Sequence, residues 1–162
     1  LDLIIEALNI IKHEIDFELS IAGDGPIRSK LNKKIKQYNL KDTIKFLGKL
    51  PREDLLKIYS NQDILLAPFL RDSGGMVILE ALSSQLPVIT LNIGGPGIII
   101  NDKCGVKIEV KNRSKQDIIK NISSKICELT KDPKKIHEMK KNALSRANQF
   151  SWIAKASQIY HE

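Results

Sequence analysis

The feature that most constrains this chain is an alternation of two hydrophobic periods. Short apolar runs, FELSIAG (17–23), TIKFLG (43–48), DILLAP (63–68), PVITL (87–91) and GVKIEV (105–110), are bounded by glycine or proline. Between them lie longer segments with helical spacing, beginning with LDLIIEALNIIKH (1–13), where Leu1, Ile4, Ile5, Leu8 and Ile11 fall on one stripe. Strands alternating with helices of ten or more residues predict an α/β fold, a doubly wound parallel sheet with helices on both faces. Strands that are apolar throughout suit burial on both sides. Three further helical segments follow, at about 115–130, 133–149 and 152–161, with Asp132-Pro133 as a break and Ser151 as a candidate cap.

A length of 162 residues suits one domain with a real core, so residues 1–162 are read as a single unit. No apolar run approaches the roughly 20 residues of a membrane helix, and no secretory leader is visible. Cys104 and Cys127 form no metal-binding spacing and read as free thiols of a reducing, cytoplasmic compartment. The net charge of +7 comes mostly from lysines in KLNKKIKQ and KDPKKIHEMKK. Arginine is scarce and no aromatic residues interleave with the lysines, which argues against nucleic acid as a partner. Lysines spread over solvated helix faces, or a membrane surface on the cytoplasmic side, remain open.

In a doubly wound sheet, ligands bind beyond the C-terminal strand ends. The loops expected there are residues 23–26, 48–51, 68–75 and 94–97, and all four contain glycine. PIRSKLNKKIKQY is expected to start a helix with Pro26 in its first turn, and PREDLLKIYSNQ another with Pro51 at its start. NIGGPG is expected to be a glycine-rich loop.

The stretch RDSGGMVILEAL (71–82) carries the most chemistry. Met76, Val77, Ile78, Leu79, Ala81 and Leu82 surround Glu80, so the helix is expected to be apolar and buried on every side. A buried, unpaired carboxylate is costly, so Glu80 needs a partner. A backbone amide or a lysine would serve, and so would the paired hydroxyls of a ligand such as a ribose. Gly74 and Gly75 either make a tight turn or let a ligand approach the backbone. The first amides of the helix, with its dipole, suit a phosphate or sugar hydroxyl. Asp72 is either a helix cap, alone or with Ser73, or an acceptor for ligand hydroxyls. Gly23-Asp24-Gly25-Pro26 is a turn before a helix; neither a dinucleotide nor a P-loop fingerprint is present. No metal is expected, and His13, His137 and His161 form no catalytic or zinc arrangement.

Taken in order, IAGDGP (21–26), IKFLGKL (44–50), YSNQDILLAPF (59–69), DSGGMVILEALSSQLPVIT (72–90), GGPG (94–97) and FSW (150–152) resemble the C-terminal, nucleotide-sugar-binding half of the retaining glycosyltransferases of family 4. Those enzymes have the GT-B fold, and the resemblance covers essentially the whole chain. It implies a Rossmann-like domain with C-terminal helices. Its paired acids, in a Glu-x7-Glu pattern, match Asp72 and Glu80. Glu80 would bind the ribose hydroxyls, and Asp72, in place of the first Glu, would face the donor sugar as the catalytic acid of the pair. The amides of Gly74, Gly75, Met76 and Val77 would hold sugar hydroxyls and diphosphate. Gly23 and Gly25 would line the site, and the loop ending at Leu50 would receive the base.

The implied reaction moves a hexosyl group from a nucleoside diphosphate sugar to an acceptor hydroxyl with retention, in polysaccharide or glycolipid synthesis. The nucleotide sugar is a substrate, and no cofactor is implied. The other implied partner is an N-terminal acceptor domain. The competing readings are a non-catalytic α/β nucleotide-binding or assembly module, and a nucleotide-sugar epimerase.

The family's central first strand, and the Arg and Lys that follow it, would precede Leu1. Without that strand, the segments at 17–23 and 63–67 lose their shared neighbour, and a lone chain with an open gap is not expected to be well behaved. Three arrangements are then expected: upstream residues fill the gap, the two strands close on each other, or a second copy inserts a strand.

Overall fold

A computed structural model of the chain describes residues 1–71 and 74–160. The order is α1 (Asp2–Ile11), β1 (Leu19–Ala22), α2 (Arg28–Gln37), β2 (Ile44–Gly48), α3 (Arg52–Ser60), β3 (Leu65–Ala67), α4 (Met76–Ser83), β4 (Val88–Leu91), α5 (Gly94–Ile99), β5 (Gly105–Ile108), α6 (Lys115–Thr130), α7 (Pro133–Asn148) and α8 (Trp152–Tyr160). Every strand expected from the sequence forms, and every pairing between strands is parallel.

The strands fall into two ladders, β1–β2 and β3–β4–β5. β1 registers Leu19 against Ile44, with an irregularity between Ile21 and Ala22. β4 is buried at all four positions and is the middle of its ladder, as its unbroken apolar sequence requires. Thr90, fully buried there, donates its hydroxyl to the Ala67 carbonyl at 2.8 Å, which satisfies the one polar side chain of that strand.

Helices cover both faces. On one side Ile4, Leu8 and Ile11 of α1 join Ile89, Leu91, Ile108 and the α6 stripe Ile118, Ile119, Ile122, Ile126 and Leu129. On the other, Ile78, Ala81 and Leu82 of α4 pack with Tyr59, Val88, Ile99, Ala143 and Ala147. A third cluster seats α2 on the first ladder through Ile5, Ile21, Leu31, Ile35 and Ile44. Polar ties fix the helices. Lys34 of α2 reaches Asp2 and Glu6 of α1 at 2.5 and 2.6 Å, and Lys115 of α6 reaches the same two acids. The Lys34 ammonium, foremost, holds the Asp2 carboxyl well below the usual range. A capping box between Ser114 and Asp117 starts α6, and Asp132 caps α7.

Two local expectations need correction. Pro26 lies in a turn ahead of α2, whose cap is Ile27. That turn is closed by Asp24, which accepts from the Gly25 amide at 2.9 Å and from Arg28 at 3.1 Å. The glycine-rich NIGGPG is no loop, since residues 94–99 form α5. Arg146 ends that helix by donating to the carbonyls of Ile99 and Ile98 at 2.6 and 2.9 Å. Ser151, as expected, accepts from a first-turn amide of α8, that of Ala154, at 3.2 Å. Both cysteines are free. No helix among the described residues is long and apolar enough to cross a membrane.

Of the three arrangements expected for β1 and β3, direct closure is not the one adopted. The two strands share no ladder. A cleft of about 440 Å³ runs between them, lined by Leu19 to Ala22 on one wall and Ile64 to Leu66 on the other.

Candidate functional site

The four loops predicted to share a rim are tied to one another in the structure. The Gly23 amide donates to the Gly48 carbonyl at 2.7 Å, joining the ends of β1 and β2. Both glycines have positive φ, at 108° and 70°, so the crossing uses backbone that other residues rarely adopt. Arg52, at the start of α3, donates through Nε to Glu80 Oε1 of α4 at 2.8 Å. That bond links the loop after β2 to the helix after β3. Gly75, the N-cap of α4, has φ 61° and lies against α5: a Cβ there would stand 2.5 Å from Ile99 Cδ1 and 3.6 Å from the Gly95 and Pro96 backbone. The sequence had left Gly74 and Gly75 open between a turn and a close approach. Gly75 makes a left-handed turn against α5, and ligand approach to the same backbone remains open.

Glu80 is the half-buried acid of the rim. Its side chain is 18% exposed, whereas Arg52 is 71% exposed. An exposed guanidinium is easily rearranged, because a surface ion pair contributes only about 0–1 kcal/mol. Glu80 therefore keeps acceptor capacity for a ligand that displaces or joins Arg52. Tyr59 stands behind it: burial, and then the Glu80 charge, push its phenol pKa up. The helix is not buried on every side, as its sequence suggested. Ile78, Ala81 and Leu82 are buried, Val77, Leu79 and Glu80 are half-buried, and Met76 is 62% exposed at the rim. Leu50, in the loop at the foot of α3, is half-buried. Gly25 is open, with no atom within 4 Å of where a Cβ would sit. Asp72 and Ser73 lie outside the described residues.

Arg52 is the residue that reading the sequence missed. Only its place next to the proline that opens α3 distinguished it, and a partner 28 positions away leaves no local pattern. Exposed apolar side chains also gather on these loops, with Ile27 at 50%, Leu70 at 64% and Ile98 at 71%. The rim as a whole offers a half-buried carboxylate, a movable guanidinium beside it and a helix N-terminus opened by glycines. That set can hold vicinal hydroxyls and an anionic group side by side.

Comparison with known proteins gives a consistent picture. The sequence profile described as glycosyl transferases group 1 matches residues 1–146. The D-inositol 3-phosphate glycosyltransferase of Corynebacterium aurimucosum is 32% identical over 124 residues, 76% of this chain and 28% of that protein. The N-acetyl-alpha-D-glucosaminyl L-malate synthase of Bacillus anthracis is 26% identical over 147 residues, covering 90% of this chain and 35% of that protein. This chain thus spans about a third of these curated relatives. Among solved structures, the pneumococcal O-GlcNAc transferase GtfA in complex with UDP and GlcNAc superposes with TM-score 0.82 at 22% identity, over 99% of this chain and 33% of that one. HepE of Anabaena in complex with UDP and glucose gives 0.79 at 21%, over 99% and 43%. At such identities the structural likeness shows the fold, which is that of the Rossmann-like C-terminal half of GT-B glycosyltransferases.

Proposed function

Because this chain belongs to the glycosyl transferases group 1 family, we propose that its rim binds the nucleotide-sugar donor of a retaining hexosyl transfer. The observation that carries this reading is Glu80: a half-buried carboxylate one turn inside α4, paired only with an exposed arginine among the described residues, above a glycine turn. Two solved neighbours hold UDP and a sugar, and the chemistry of such a ligand, a diol beside a diphosphate, matches the rim. A ribose diol would take the Glu80 carboxylate, with Arg52 released towards solvent or the nucleotide. The diphosphate would lie over the N-terminus of α4, where the Gly74 to Val77 backbone and the helix dipole favour negative charge. Gly23, Gly25 and Leu50 would border the nucleotide.

In the reaction, the bond from the sugar's anomeric carbon to the diphosphate oxygen breaks, the acceptor hydroxyl oxygen bonds to that carbon on the same face, and the hydroxyl proton passes to the departing diphosphate oxygen. Negative charge grows on the leaving diphosphate, which is where α4 points. Oriented amides placed there before reaction stabilise the transition state without reorganising. Asp72 is proposed to face the sugar. The acceptor would come from a second domain closing over the rim, and the exposed Ile27, Leu70 and Ile98 give it an apolar edge to meet. Polysaccharide or glycolipid synthesis on the cytoplasmic side of a membrane is the setting this reading favours.

The two acids separate the donor's parts. In enzyme assembled with its acceptor half, Glu80→Gln should weaken donor binding about tenfold or more, equally for every sugar on the same nucleotide, since a hydrogen bond to a charged group contributes about 1.5–3 kcal/mol. Asp72→Asn should instead alter sugar discrimination or turnover. Thermal stability of Glu80→Gln should hardly change, as only a surface ion pair is lost. If both variants keep kcat/KM within about threefold, under about 0.7 kcal/mol, the donor reading is wrong.

A further inference from the structure

Arg52 stands in a poor place for the helix it opens. It is the first residue of α3, after Pro51, while its neighbours Glu53 and Asp54 are the acids of the first turn. Acids there complement the helix dipole and a cation opposes it. Its position gives α3 nothing, but it gives the side chain reach. The guanidinium crosses to α4 and donates its Nε–H to Glu80 Oε1 at 2.8 Å. Among the described residues that is the one hydrogen bond the Arg52 side chain makes, and Glu80 Oε2 accepts none.

The pair is not needed to hold α3 against α4. Tyr59, with Leu55 and Leu56, packs α3 into the cluster that contains Ile78, Ala81 and Leu82. Opening the pair therefore leaves the packing intact. With Arg52 71% exposed, the closed pair is held only a few-fold over the open one.

We propose that Arg52 is a resident competitor for the ribose: it occupies Glu80 in the empty rim, a ligand with a vicinal diol displaces it, and a ligand without one does not. This inference rests on the donor reading of Glu80 and assigns the arginine a task within it. A diol claims both carboxylate oxygens, and the guanidinium already lies on one of them. Ligands that lack the diol leave the pair closed, so the half-buried carboxylate keeps its partner. Arg52 thus acts in opposite senses on the two kinds of ligand. A ribonucleotide binds only to the fraction of molecules whose pair is open. A diol-free ligand is spared the cost of leaving a half-buried charge unpaired. The service to turnover is release: the returning guanidinium takes the place of the ribose as the spent nucleotide departs.

The test uses the isotopically labelled chain with UDP, the nucleotide held by two solved neighbours, and with 2′,3′-dideoxy-UDP. The two carry the same base and diphosphate, so any effect of losing a positive charge cancels in the ratio of their affinities. Arg52→Gln should raise the preference for UDP over its dideoxy analogue about two- to sixfold. The Arg52 Nε–H resonance supplies a second readout. Saturation with UDP should speed its exchange with solvent by the same factor, while the dideoxy analogue and pyrophosphate should leave it unchanged. A ratio unaltered in Arg52→Gln, with both ligands weakened, would make Arg52 a phosphate ligand. A reduced ratio would make it a support that holds Glu80 in place. Either result overturns the proposal, as does an Nε–H that exchanges as slowly with UDP bound as without it. Failure of the donor reading looks different: UDP would not bind, or would bind as well to Glu80→Gln, and this inference would fall with it.

Discussion

Gly105→Ala should destabilise the chain by about 3 kcal/mol or more, a large fraction of the roughly 5–15 kcal/mol that holds a domain together. Gly105 opens β5 opposite Val88 in the buried ladder. A Cβ there would run into the Val88 carbonyl oxygen, with the Val88 carbonyl carbon at 3.2 Å and Ile100 Cγ2 at 3.1 Å. The first obstacle is backbone of the central strand, so relief requires moving β4 away from β5. That would disturb the registered pairs from Val88–Gly105 to Leu91–Ile108. For a chain of this size, about 3 kcal/mol corresponds to a fall in Tm of about 6–12 °C. Gly25→Ala is the matched control: it sits in open space without positive φ and should stay within about 0.5 kcal/mol. Urea unfolding of both variants measures the contrast, and equal midpoints would contradict the packing described at β5.

Gly75→Ala should act on stability and on the rim together. Its φ of 61° is left-handed, which costs a residue with a Cβ roughly 1–2 kcal/mol. The Cβ would also meet Ile99 Cδ1 at 2.5 Å, and Ile99 is only 3% exposed. These two contributions can be separated. Ile99→Val removes the clashing methyl and by itself costs about 0.5–1.5 kcal/mol. In the double variant the steric part vanishes and the backbone part stays. The pair should therefore lose about 1 kcal/mol less than the sum of the single variants, a coupling that residues in contact show and distant ones do not. Nucleotide affinity should fall in Gly75→Ala, whose α4 start is displaced, and persist in Ile99→Val. Strict additivity would mean that Gly75 does not stand against Ile99 in solution.

The fold was legible because its signals are local. FELSIAG, DILLAP and PVITL each carry a strand's composition and their own stops, so β1, β3 and β4 could be placed from sequence. α5 was not legible because GGPGII has almost no intrinsic helix propensity. Tertiary packing makes it a helix: a Cβ at Gly97 would stand 2.9 Å from the Asn92 side chain, and Arg146, 47 residues away, holds its last carbonyls. The Ser114–Asp117 capping box was readable in principle, as Ser-x-x-Asp before an apolar stripe. At the site, Glu80 was legible as a charge out of place in an apolar helix. Its resting partner was not, since Arg52 belongs to another element. The failure to bury α4 on all sides has a related cause: α4 begins at the sheet's rim, so Met76 is exposed however apolar its sequence.

The central claim is that the loops following β1, β2 and β3 form one nucleotide site around Glu80. Titrating the labelled chain with UDP, and following its amide resonances, tests that claim directly. The account predicts weak, saturable binding, with shifts concentrated at Gly23, Gly25, Leu50 and the amides from Gly75 to Glu80, and loss of those shifts in Glu80→Gln. Shifts confined to α6 and α7, or unchanged binding in Glu80→Gln, would contradict it.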